Sequence, residues 1–347
     1  MHGLFSKANL RSALLHYFSG LALYGLAVLL YHKNRYYANF LDPSAKGILL
    51  YAFVAYAAIM PFVFLFPRSR NIGEHKPAIV FRVLWRTSAD FLRYLERFTR
   101  EPGYRMAGLS GSERTALLFM AVKLFFLPVM LNFMVAHLRA FIGFIPQLAG
   151  LRLGIGSLSS AGYMVALTTI FLVDTAFFSF GYLFEAGVLR NKVRSVEPTF
   201  LGWSVALLCY PPFNSLLEKY AAWWPSDYAQ FPTPGLTLIA RLAVVAFMLV
   251  YVWATVSLGT KCSNLTNRGI VTTGAYRFVR HPAYISKNLA WWVTLLPIMS
   301  LSVFAAMSVW TFVYFLRAVT EERHLIADTD YQSYCRQTRY RFVPFVY

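Results

Sequence analysis

Residues 235–259 read GLTLIARLAVVAFMLVYVWATVSLG, twenty-five positions with a single charge, Arg241. About 20 apolar residues in a helix cross a bilayer core of roughly 30 Å. This stretch is long enough to do so, and it is apolar on every face, which suits lipid better than water. It runs directly into a polar, basic loop, Asn267-Arg268-Gly269-Ile270-Val271-Thr272-Thr273-Gly274-Ala275-Tyr276-Arg277-Phe278-Val279-Arg280-His281-Pro282-Ala283-Tyr284. A membrane helix opening onto a residue-rich boundary loop is the organisation from which the rest of the chain is read.

Outward from there, similar apolar runs recur at Leu10–Tyr31, Gly47–Phe66, Thr115–Ile145, Ser160–Glu185, Phe200–Leu217, Ile285–Leu301 and Ser302–Val319. The expectation is an all-α, polytopic transmembrane bundle of eight spans. The last two form a hairpin around Ser300–Ser302, and Pro211-Pro212 kinks or ends the fifth. Composition agrees: 58% of the 347 residues are hydrophobic and 14% charged, and mean hydropathy is +0.49. That excludes disordered, collagenous and disulfide-stapled classes and disfavours a water-soluble globule. Basic Lys7 and Arg11 precede the first run, which lacks a small-x-small cleavage pattern and reads as a retained anchor.

The net charge of +18 points to an anionic membrane surface rather than nucleic acid. With both termini cytoplasmic, the inner segments of the eight-span arrangement carry twenty-five Lys and Arg against five outside (Lys33, Arg35, Lys46, Arg152, Lys219). The positive-inside rule therefore favours that orientation. Within the long polar stretch 67–114, Val80, Leu84, Thr87, Phe91, Leu95 and Phe98 recur every three or four residues, and Arg82, Arg86, Arg93, Arg97 and Arg100 fall largely on other faces. This predicts a helix over about 78–100 lying on the membrane, or else packed on the protein with a solvated basic face.

Asp174 sits in mid-span, where a charge is costly and faces protein, a cavity or a partner. Either Lys123 or Arg139 pairs with it structurally, or Asp174 and Arg139 belong to the wall of a substrate cavity. His137 has no second ligand at helical spacing, and Cys209, Cys262 and Cys335 are far apart, so no metal site is expected. No glycine-rich phosphate loop, dinucleotide fingerprint or GxSxG elbow is present.

Chemistry concentrates in the last quarter. Gly269 and Gly274 permit tight turns. Arg280 offers a planar fork for an anion, and His281 a donor or acceptor near neutral pH. Pro282 suits the first turn of a helix. Glu321-Glu322 follows a span, and Tyr331-Gln332-Ser333-Tyr334, Arg339, Arg341 and Pro344 form the tail. In the eight-span arrangement these blocks meet at one inner boundary.

Gly274-x-Tyr276…Arg280-His281-Pro282-x-Tyr284, then Glu321-Glu322-x-x-Leu325, then Tyr331-x-x-Tyr334…Arg339…Pro344, resembles the integral-membrane methyltransferases typified by isoprenylcysteine carboxyl methyltransferase and the phospholipid methyltransferases. The resemblance covers about residues 235–347, a catalytic membrane domain, and leaves 1–234 as a separate N-terminal transmembrane region. It implies S-adenosylmethionine as cofactor, bound at the cytosolic boundary without a Rossmann domain. It also implies a lipid-like or membrane-associated acceptor (carboxylate, thiol or amine). Gly274, Tyr276, His281, Pro282, Tyr284, Glu321 and Glu322 would line the cofactor pocket, with Arg280 and Glu322 catalytic. Ser286-Lys287-Asn288 stands where small or apolar residues are usual; Lys287 either snorkels to the interface or touches the acceptor. Two rival functions are an NADPH-dependent membrane reductase of the sterol-reductase kind and a non-catalytic lipid-binding or transport protein.

Overall fold

A computed structural model describes residues 7–65, 75–97, 107–149, 156, 158–219 and 230–346. The expected Phe66, Phe98, Arg100 and Arg152 lie outside the described residues. The described residues are mostly helical, with loops between the helices and one short two-stranded ribbon. It divides into two compact units, Met1–Pro128 and Val129–Tyr347.

The first unit contains α1 (Lys7–Lys33), α2 (Arg35–Phe40), α3 (Pro43–Leu65), α4 (Lys76–Arg97) and the start of α5 (Gly111–Ala149). α1 packs on α3 and α4. α4 is the amphipathic helix that the arginine spacing predicts. Its first turns bury Ala78, Ile79, Val80 and Val83, whereas Leu84, Trp85, Phe91 and Leu95 are exposed. Its arginines bond within the protein: Arg86 pairs with Glu113 at 2.9 Å, Arg93 with Asp90 at 3.4 Å, and Arg82 Nε donates to the Ala78 carbonyl at 3.3 Å. Lys123 of α5 turns to Tyr24, donating to its hydroxyl at 3.5 Å.

The second unit holds the rest of α5, then α6 (Tyr163–Leu183), α7 (Phe200–Leu207), α8 (Asn214–Glu218), α9 (Pro234–Leu258), α10 (Pro282–Leu295), α11 (Leu301–Leu325) and α12 (Thr329–Gln337). Its interior follows from helical periodicity. Tyr163, Leu167 and Ile170 of α6 recur at i, i+4, i+7 and meet Val244, Met248 and Tyr251 of α9, with Ala290 of α10 closing the cluster. The opposite face of α9 exposes Leu236, Ile239, Leu242, Leu249 and Val256. A soluble helix would carry charges there; a lipid-facing one carries leucines.

Among the described residues, six helices are long and apolar enough to cross a membrane: Leu10–Lys33, Pro43–Phe64, Gly111–Pro146, Ser159–Leu183, Pro234–Lys261 and Leu301–Leu325. This is an integral, multi-pass membrane protein. Two of the eight expected spans differ. The fifth is broken: α7 has eight residues, about 12 Å, and turns carry the chain through Pro211-Pro212 to the five-residue α8. The seventh is the fourteen-residue α10, bounded by Pro282 at its first turn and by the 3-10 turn Leu296–Ile298 containing Pro297. The hairpin itself forms as expected, with the Ser300 hydroxyl accepting from the Val303 N–H at 3.2 Å to start α11.

A ribbon of β1 (Ser195–Val196) and β2 (Thr266–Asn267) pairs antiparallel, with Ser195 opposite Asn267. It fastens the loop after α6 to the loop that leaves α9.

Candidate functional site

The loop after α9 is shaped by two residues. Gly274 has φ +63°, which L side chains rarely adopt, and an added Cβ would run into the Ser257 hydroxyl on the last turn of α9. Pro282, fully buried, starts α10, where its missing N–H costs nothing. Between them, Gly274–Arg277 forms one 3-10 turn. The Tyr276 carbonyl accepts from the Tyr334 hydroxyl of α12 at 2.7 Å. Burial, and then the nearby Glu321 charge, push the Tyr276 phenol well above its usual pKa, so it stays protonated.

The tail folds back over this loop. The Arg280 and His281 N–H groups donate to the carbonyls of Tyr340 (2.9 Å) and Arg341 (3.0 Å). Glu322 of α11 is the hub of the closure. One carboxylate oxygen accepts from Arg280 Nε at 2.9 Å and lies 3.0 Å from His281 Nε2; the other accepts from Arg341 at 2.8 Å. Arg280 Nη1 donates further to the Thr338 and Arg339 carbonyls. These groups are shielded, with side-chain exposures of 12% for Arg280, 6% for His281 and 13% for Glu322.

Behind the closure lies a cavity of about 120 Å³. Six of the sequence-predicted residues line it: Tyr276, Arg280, His281, Tyr284, Lys287 and Glu321. The Tyr284 hydroxyl donates to Glu321 at 2.6 Å, and its ring stacks on His281 with centroids 5.4 Å apart. Five expected residues stand back from the wall. Gly274 and Pro282 shape the backbone. Glu322 is turned to Arg280, His281 and Arg341. Asp174 sits behind the wall, accepting from the hydroxyls of Tyr251 (2.7 Å) and Thr255 (2.6 Å), both of which do line the cavity. The expected pairing of Asp174 with Lys123 or Arg139 is replaced by these two hydroxyls of α9. Arg139 is likewise not among the lining residues.

Sequence reasoning missed several lining groups. Arg317 lies one helical turn before Glu321, a spacing that signals a shared face. Its guanidinium bonds Asn264 and sits over the rings of Tyr284 (5.2 Å), Tyr210 (5.9 Å) and Tyr314 (5.9 Å). Glu197, 2% exposed, enters from the loop before α7. It accepts from the Thr199 N–H at 3.0 Å and pairs with Arg323 at 3.4 Å, while its Oε2 is buried without a hydrogen-bond partner. His324 is held by Ser195 of the ribbon at 2.9 Å. Nothing local in the sequence marks Glu197. Among the described residues, no group of three or more His, Cys, Asp or Glu side chains is placed to hold a metal ion.

The closure therefore brings together an arginine–histidine pair, a tyrosine–glutamate pair and a second arginine, contributed by a loop and by the far end of a helical hairpin. Residues 235–328 match the family model of the phospholipid methyltransferases. The phospholipid methyltransferase match takes in α9, the Gly274–Tyr284 loop, the hairpin and the paired glutamates, and ends before α12 and the folded-back tail. Comparisons with curated proteins and with solved structures return no match. The membrane character of the helices and the phospholipid methyltransferase segment are consistent with each other, and they fit a methyltransferase working at a bilayer.

Proposed function

We propose that this protein transfers a methyl group from S-adenosylmethionine to a lipid-like acceptor, using the cavity between the Gly274–Tyr284 loop and α11. One observation carries the reading. Two sequence blocks forty residues apart, Arg280–Tyr284 and Glu321, converge on one cavity inside the segment that matches the methyltransferase family. The side chains there suit the cofactor's groups. Arg317 offers a fork for its carboxylate. Glu321 and the unpartnered Glu197 Oε2 offer acceptors for its ammonium or ribose hydroxyls. The rings of Phe178 and Tyr276 in the same wall offer faces that attract a sulfonium.

When bound, the cofactor supplies the methyl group and its thioether leaving group. The protein's contribution is alignment and exclusion of water. Arg280 and His281, tied to Glu322 and the tail, act as positioning residues that keep the loop closed. We assign residues 235–347 to the catalytic part, with Glu197, Gly202 and Tyr210 completing its wall from upstream. The positive residues around the mouth (Arg277, Arg280, Arg323, Arg339, Arg341) support a cytoplasmic, anionic-leaflet location. The six helices long enough to cross among the described residues are again an even count, which supports both termini lying on one side, the cytoplasmic one.

The test is calorimetric binding of S-adenosylhomocysteine to the purified full chain, followed by radiolabelled methyl transfer into total membrane extract with lipid and protein fractionation. Binding together with label in a lipid or membrane-protein fraction is expected. Absence of binding, or label in neither fraction, overturns the proposal.

A further inference from the structure

One charged group at the cavity has no role in the cofactor reading. Lys287 lies one turn beyond Tyr284 on the same face of α10, about 4.5 Å further along the helix axis and away from the folded-back tail. Its Nζ is 5.1 Å from the centre of the Tyr251 ring, 5.2 Å from that of Trp291 and 5.9 Å from that of Phe171. Among the described residues it makes no hydrogen bond and no ion pair within the protein. The acidic group that shares Tyr251 with it is Asp174, which accepts from that tyrosine's hydroxyl at 2.7 Å. The carboxylate oxygens of Asp174 are already taken by Tyr251 and Thr255.

The ammonium is thus steadied by aromatic faces, while its N–H donors are left for whatever enters the cavity. A lysine whose purpose was to reach water would extend along the helix toward the interface; this one is folded among rings. Arg317 adds a second cation to the same wall. The carboxylates of the wall, Glu321 and Glu197, are engaged with Tyr284 and with Thr199 and Arg323, so a protonated amine seated against Lys287 itself would meet a like charge, and like-charge juxtaposition is a device of specificity. An anion would meet the donors that the cage leaves unfilled.

Resting on the proposed function above, we propose that Lys287 is the residue that selects the acceptor, and that this acceptor is an anionic amphiphile whose negatively charged oxygen group is received by Lys287 Nζ. The methyl acceptor is therefore of the carboxylate class, not a protonated lipid amine.

The test uses purified full-length protein in zwitterionic detergent with saturating S-adenosylhomocysteine. Tritiated oleate is the bound probe, and unlabelled oleate, oleyl alcohol and oleylamine, which share one chain, compete for it. Wild type is expected to bind the probe and to prefer oleate to oleylamine by at least tenfold. Lys287→Met, and Lys287→Gln should the first fail to bind S-adenosylhomocysteine, are expected to cut that ratio at least fivefold, while Lys287→Arg restores it. No probe binding, a wild-type ratio under tenfold, or a neutral variant that keeps the preference overturns the inference. S-adenosylhomocysteine binding in the same preparation separates the two failures. If it is intact, only the acceptor assignment falls; if wild type lacks it, the methyltransferase reading falls.

Discussion

Arg280 and Glu322, forty-two positions apart, share an ion pair of 2.9 Å in which both side chains are nearly nine-tenths shielded from solvent. The same carboxylate also engages His281 and Arg341, so one acidic side chain joins the loop, the hairpin and the tail. Removing it would leave shielded cations without their counter-charge, and breaking a buried pair from one side costs about 3–5 kcal/mol. Glu322→Gln is accordingly expected to lower the melting temperature in detergent and to abolish S-adenosylhomocysteine binding together with it. A variant that melts normally yet fails to bind would assign Glu322 to the cofactor itself rather than to the closure.

Tyr284 and Glu321 give a milder expectation. Their 2.6 Å hydrogen bond lies at the cavity wall, and the Tyr284 ring also rests on His281. Tyr284→Phe keeps the stacked ring and deletes only the donor. A hydrogen bond to a charged group is worth about 1.5–3 kcal/mol. The expected result is a fall in melting temperature smaller than that of Glu322→Gln, together with weaker S-adenosylhomocysteine binding by calorimetry.

Gly274 can be tested by a cycle. Its positive φ costs an L residue about 1–2 kcal/mol, and the new Cβ also meets the Ser257 hydroxyl. Gly274→Ala should destabilise by more than the backbone term alone. Adding Ser257→Gly should recover the steric part and leave the conformational part. Thermal melts of the two single variants and the double variant measure both.

The apolar runs made the long helices legible, because lipid leaves no alternative to a continuous apolar helix. They misled at 200–217, where the composition is apolar but Pro211-Pro212 and the surrounding turns leave only short helices. The meeting of the Arg280–His281 block with the paired glutamates was readable from the motif. The closing role of Arg341 was not, since it arises when the tail folds back onto residues sixty positions earlier. Asp174 illustrates a different limit. A search for opposite charges points to Lys123 and Arg139, whereas the partners are two neutral hydroxyls one turn apart on a neighbouring helix. Arg317 is legible in its i, i+4 relation to Glu321, which places both on one face of α11.

Asp328 carries a pH-dependent clasp. Burial opposes its ionisation, but the Asn267 amide, the Asp330 N–H and Arg194 together hold its carboxyl below the usual carboxylate range. Its folded-state pKa is thus depressed. The stability it contributes is complete above the unfolded value of about 3.9, and is lost as pH falls through the lower folded value. Wild type should melt above Asp328→Asn at pH 6–7, with the gap closing once the pH is taken below about 3.9. Because Arg194 is half exposed, the gap should also narrow in high salt.

The last expectation concerns Asp174 and Lys287, which both contact Tyr251, one at its hydroxyl and the other at its ring. Asp174→Asn keeps the shape and the hydrogen-bonding capacity toward Tyr251 and Thr255 while removing the charge. Lys287→Met removes the cation. If the two groups are coupled, each single variant leaves an uncompensated charge in a low-dielectric interior, and the double variant leaves none. The double variant should therefore be more stable than the sum of the singles predicts, by about 1–3 kcal/mol, the range for neighbouring residues in one network. Thermal or denaturant unfolding of the four proteins in detergent supplies the cycle. Strict additivity would mean that Asp174 serves only the hydroxyls of α9, and that Lys287 draws its stabilisation from the aromatic rings alone.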